Sequence, residues 1–121
     1  MNDLEKTKHI LNSKYRIEIF NVINDYFQEN KDAFNYVVDY WYDSWYELCL
    51  RDYFIQELHY VVVNNKKLLD IVVDVDIEIL DIYDLGMQKN ITEKLRIEAN
   101  TDRNNENFVV DCVGFYMASY C

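Results

Sequence analysis

The chain contains no proline, and Gly86 and Gly114 are the only glycines among its 121 residues. That scarcity excludes a Gly-rich loop cradling phosphates on backbone amides, and it excludes a Pro- or Gly-rich linker between domains. Histidine is confined to His9 and His59, and cysteine to Cys49, Cys112 and Cys121 with no CxxC pair. No zinc-ligand spacing arises from that set, and an odd number of scattered thiols is no disulfide framework, so reduced thiols are expected. No apolar run is long enough to cross a bilayer, and the stretch from Met1 to Lys14 is too polar for a signal peptide. The expectation is a cytoplasmic protein without a membrane partner. Ala and Arg are also scarce, whereas Asn, Asp, Ile, Tyr and Lys are common. This bias towards AT-rich codons points to a low-GC bacterium, its phages and mobile elements, or a large DNA virus.

What is present supports a folded core. Half the residues are hydrophobic, with eleven Tyr, six Phe and two Trp, and each ring buries a large area. The length fits a single domain over residues 1–121. Residues 1–12 read as a short helix or a frayed lead-in. From a Ser13 N-cap, Tyr15, Ile19, Val22, Ile23, Tyr26 and Phe27 fall at helical spacing. A second helix capped by Asp32 carries Phe34, Val37, Val38, Trp41, Trp45 and Leu48 on one stripe. Tyr36, Tyr40 and Tyr46 lie beside that stripe, an aromatic surface wide enough for a central helix or a homodimer contact. Phe54, Ile55, Leu58, Val61 and Val62 suit a further helix, while Val61-Val62-Val63 also suits the start of a strand.

After a turn at Asn64 to Lys67 the period changes to two. Leu69, Ile71, Val73, Val75, Ile77 and Ile79 alternate with Asp70, Val72, Asp74, Asp76 and Glu78, predicting a long half-buried strand. A slip in phase at Ile79 and Leu80 predicts a bulge. Ile91 to Ala99 and Phe108 to Tyr120 supply two more strands around a polar loop. The expected fold is α+β, with two to three N-terminal helices (residues 1–63) packed on a three-stranded antiparallel sheet (residues 68–121).

The net charge of −10 falls in two blocks. Asp25 to Glu57 holds eight acidic residues against Lys31 and Arg51, and Leu68 to Gln88 holds six against none. Asp70, Asp74, Asp76 and Glu78 share one strand face, with alternate carboxylates about 6.6 Å apart, close to the phosphate repeat of an extended nucleic-acid strand. Asp39, Asp43 and Glu47 form a second row at helical i, i+4, i+8 spacing. A solvated sheet face explains acidic outward positions in general, but here no Lys interleaves them.

Chemistry is weakly signalled. Asp74-Val75-Asp76-Ile77-Glu78 has the DxDxE form that two-metal sites use, with Glu98 or Asp111 as further ligands. The Gly-Ser turn that precedes the DxD strand of nucleotidyltransferases is missing. Cys49 and His59 would make a thiol–imidazole pair if they faced each other across a turn. Neither signal outweighs a plain structural role, so no enzyme, cofactor or metal is expected.

A pI near 4.5 opposes direct nucleic-acid binding and favours a basic protein partner. In size, charge and inferred genome the chain looks like small acidic anti-defence proteins, including anti-CRISPR and DNA-mimic proteins. The expected function is an inhibitor that occupies the basic nucleic-acid-binding surface of a defence nuclease. Asp39, Asp43, Glu47, Asp70, Asp74, Asp76 and Glu78 are its expected contacts. An immunity protein against a basic toxin is the alternative, followed by a metal-dependent enzyme using Asp74, Asp76 and Glu78.

Overall fold

A computed structural model describes residues 1–30, 46–81 and 88–116. Helices α1 (Asp3–Ser13) and α2 (Arg16–Glu29) precede strands β1 (Tyr46–Val63), β2 (Lys66–Asp81), β3 (Gln88–Asp102) and β4 (Val109–Phe115). The strands form one antiparallel sheet in chain order, a four-stranded meander. The α+β layout therefore stands, while the three-stranded sheet is corrected to four. The strands begin at Tyr46 rather than Leu68, and the helix that spacing predicts around Phe54 to Val62 is the second half of β1.

The helices differ from expectation in their caps. Asn2, whose side chain accepts from the Glu5 amide at 2.8 Å, caps α1, and Asp3 and Glu5 complement the positive end of the helix dipole. Ser13 ends α1 instead of starting α2, its hydroxyl donating to the His9 carbonyl. Leu11, Tyr15, Ile19, Ile23 and Phe27 then form one buried line at four-residue spacing across both helices. They pack on the inward residues of the sheet: Leu48, Leu50, Tyr53, Ile55 and Leu58 of β1, the alternating Leu69 to Ile79 set of β2, and Leu95, Ile97 and Ala99 of β3. Each fully buried Ile or Phe contributes about 1.5–3 kcal/mol.

Turn chemistry fixes the meander. Asn64 and Asn65 both take positive φ, 51° and 66°, which suits the two-residue hairpin between β1 and β2. Lys66 and Lys67 belong to β2 rather than to the turn. Between β3 and β4, the Asp102 carboxylate accepts from the Asn104 and Glu106 amides, each at 2.9 Å, and from the Asn107 side chain. No irregularity occurs at Ile79 and Leu80, which pair in register on both sides. The irregularities lie in β1, between Leu50 and Asp52 and between Ile55 and Glu57.

Lys67 points inward and is 3 % exposed. Its Nζ donates to Asp3 Oδ1, Thr7 Oγ1 and Asn105 Oδ1 at 3.0–3.2 Å, which uses all three ammonium donors. Tyr60 donates its hydroxyl to the same Asp3 carboxylate. This knot ties α1 to two strands and to the β3–β4 turn. Cys112 is disulfide-bonded and Cys49 is a free thiol, so the expectation of reduced thiols fails at Cys112. Among the described residues no helix is long and apolar enough to cross a membrane.

Acid will loosen the fold through its turn. The backbone amide of Glu106, above all, holds the Asp102 carboxyl below its ordinary 3.8. A carboxyl depressed in the fold adds stability above its unfolded value and loses it as pH falls towards the folded value. Asp102→Asn is therefore expected to destabilise the protein near pH 7 and to make less difference at pH 2–3. Urea melts across that range check this; a constant deficit would exclude a role for the Asp102 charge.

Candidate functional site

Alternation places the Leu69 to Ile79 set against the helices and turns Asp70, Val72, Asp74, Asp76 and Glu78 to the opposite, outer face. Pairing then decides what stands beside each carboxylate. Asp70 lies between His59 of β1 and Glu98 of β3, and Asp74 between Phe54 and Lys94. Asp76 faces Thr92, and Glu78 lies between Cys49 and Asn90. Glu57 and Arg96 flank Val72, which is itself buried.

The acidic row is thus partly compensated by its neighbours. Arg51, at the first bulge of β1, pairs with Glu78 at 2.5 Å, and this hydrogen bond holds the Glu78 carboxyl below its ordinary range. Arg96 Nε sits 3.2 Å from Asp70 Oδ1, and both atoms are shielded from solvent. Thr92 donates to Asp76 at 3.3 Å. Lys94 stands in register with Asp74, its Nζ 5.3 Å from the Tyr116 ring centre. The row lacks basic residues between Asp70 and Glu78, but the next strands supply them. Among the described residues of the outer face the acids still prevail: Glu57, Asp70, Asp74, Asp76, Glu78 and Glu98 against Arg51, Lys66, Lys94 and Arg96. Asp111 joins them, since the outward Asn100 amide donates to both of its oxygens.

The other expected contacts fall elsewhere. Asp39 and Asp43 lie outside the described residues, as does the aromatic surface from Phe34 to Trp45. Glu47 lies in β1 opposite Leu80, so it cannot continue a helical row through Asp39 and Asp43.

Two chemical constellations that the sequence suggests are not assembled among the described residues. Among the described residues no cluster of three His, Cys, Asp or Glu side chains is placed to hold a metal ion. Cys49 and His59 sit near opposite ends of β1, ten residues or roughly 30 Å apart, and do not meet.

The outer face also carries an apolar feature. Towards the β1–β2 hairpin, a shallow trough of about 460 Å³ is lined by His59, Val61, Leu68, Asp70, Glu98 and Asp111, among others. Val61, Leu68, Asn100 and Val109 form a single register line across all four strands. Three of these four are apolar and exposed, Val61 at 59 %, Leu68 at 45 % and Val109 at 51 %. The clue in the sequence is that Leu68 and Val61 fall on the polar phase of their strands. Comparison with protein-family models, curated proteins and solved structures returns no match for this chain.

Proposed function

We propose that the chain is an acidic protein-binding inhibitor whose outer sheet face engages the basic nucleic-acid-binding surface of another protein, such as a defence nuclease. The supporting observation is the array itself: seven described carboxylates distributed over four strands of one face, against four described cations. Strands about 4.8 Å apart spread these charges in two dimensions, a pattern suited to a broad cationic surface. A net charge of −10 steers such a partner from a distance. Ion pairs with Arg51 and Arg96 fix the orientation of Glu78 and Asp70, leaving Asp74 and Asp76 as the acids best placed to exchange neighbours.

Affinity capture on the immobilised chain at low salt is expected to retain a basic protein that high salt releases and duplex DNA displaces. Retention that ignores both salt and DNA would sink the reading. With the captured partner, Asp74→Asn combined with Asp76→Asn is expected to slow association several-fold at low salt while changing dissociation little. Raising salt towards 1 M should erase that difference. Stopped-flow or surface-plasmon kinetics would measure it.

A further inference from the structure

Resting on that reading, we propose that the basic partner is anchored by an apolar side chain seated in the outer trough and flanked by Lys or Arg. The trough joins two features that seldom coincide on a solvated sheet face. Its floor is formed by Val61 and Leu68, both exposed and paired across β1 and β2, with exposed Val63 beyond them on the same face and exposed Val109 of β4 past Asn100. Single exposed apolar residues are ordinary, but neighbouring exposed Val61, Val63 and Leu68 on one face mark a contact surface. Its rim is acidic. Arg96 answers Asp70 and Asn100 holds Asp111, whereas exposed Glu98 has no cation within ion-pair distance among the described residues. Among the described residues, Glu57 has His59 as its ion-pair neighbour, at 3.9 Å.

Charge selects the occupant. An apolar, uncharged partner would cover Glu98 without pairing it, and an ion removed from water without a partner is costly. A second copy of the chain would bring the same carboxylates against each other. A cationic surface carrying one projecting aliphatic or aromatic side chain satisfies both halves of the trough, with an apolar anchor at the centre and a charged rim.

The test uses the full ¹⁵N-labelled chain and three hexapeptides at low salt. One has two leucines between pairs of lysines, the second has glycines in place of the leucines, and the third has glutamines in place of the lysines. The leucine–lysine peptide is expected to shift the amide signals of Val61, Leu68, Glu98 and Val109 and to bind about tenfold more tightly than the glycine peptide, as loss of one central anchor implies. Leu68→Ser should abolish that tenfold advantage, and Glu98→Gln should reduce the salt dependence. Both side chains are exposed, so neither change touches the core. Equal binding of the two lysine peptides, or shifts confined to Asp74 through Glu78, would overturn the anchor while leaving the acidic-face reading intact. Failure of both lysine peptides to bind at millimolar concentration would overturn the two together. Equal binding of the glutamine peptide, or a dimer of the chain broken by Leu68→Ser, would assign the trough to an uncharged partner or a second copy.

Discussion

Tyr53→Ala is expected to destabilise the protein by about 3–5 kcal/mol, the range for deleting a buried aromatic ring. With total stabilities of about 5–15 kcal/mol typical of a domain, that loss removes a large part of the fold's margin. Tyr53 is fully buried in the middle of β1, between the two irregularities of the strand. The guanidinium carbon of Arg16 lies 4.5 Å from the ring centre, and the Tyr53 hydroxyl donates to the Arg16 carbonyl at 3.2 Å. Arg16 in turn pairs with Asp52 at 2.5 Å, and Asp52 accepts from the Tyr53 amide. The ring therefore sits where the first turn of α2 meets the bulged strand, and its removal opens a void and takes away the surface that Arg16 lies over. Tyr53→Phe keeps the ring and gives up one hydrogen bond, so about 0.5–1.5 kcal/mol is expected. Denaturant melts of the two variants separate packing from hydrogen bonding. Similar losses in both would mean that the hydroxyl, not the ring, matters most.

The same strand shows why the sequence reading stopped short of the fold. The inward residues of β1 are Leu48, Leu50, Tyr53, Ile55 and Leu58, spaced by two, three, two and three. Each step of three crosses an irregularity, and the average of 2.5 residues is neither the period of a flat strand nor that of a helix. Exposed Phe54, Val61 and Val62 then complete a false helical stripe with Ile55 and Leu58. Tyr53 and Ile55, two apart, and the β-branched run at Val61 to Val63 were the counter-signals. In β2 the register is unbroken, and its alternation was legible from Leu69 to Ile79, although Leu80 and Ile82 after it suggested a bulge that is absent. The acidic row was legible for the same reason. Its neutralising partners were not, because Arg51 and Glu78 are 27 residues apart in the chain and meet only once the pairing is known. Lys67 hid differently: it is in phase with Leu69 and Ile71, yet its place in a polar Asn-Asn-Lys-Lys cluster suggests solvent.

Lys67→Ala is expected to cost about 3–5 kcal/mol, combining the void left by a long buried stem with acceptors that lose their donor. Lys67→Met fills much of the same volume without donating, so about 1–3 kcal/mol is expected for the unpaired polar groups alone. The three acceptors do not suffer equally. The Asp3 side chain is 56 % exposed and still receives the Tyr60 hydroxyl, so water can replace the ammonium there. Thr7 retains its bond to the Asp3 carbonyl at 2.8 Å. Asn105 is buried, and its Oδ1 is left with the Thr7 hydroxyl at 3.3 Å, which that bond already engages. The main loss therefore falls on the β3–β4 turn, where the Asn105 carbonyl also accepts the Tyr15 hydroxyl at 2.8 Å. Amide hydrogen exchange distinguishes this from a uniform effect: Lys67→Met should loosen residues 102–107 and the first turns of α1 before the centre of β2. If Lys67→Met matched the wild type in both stability and exchange, the knot would be a by-product of packing and α1 would be held by Leu11 and its apolar neighbours alone.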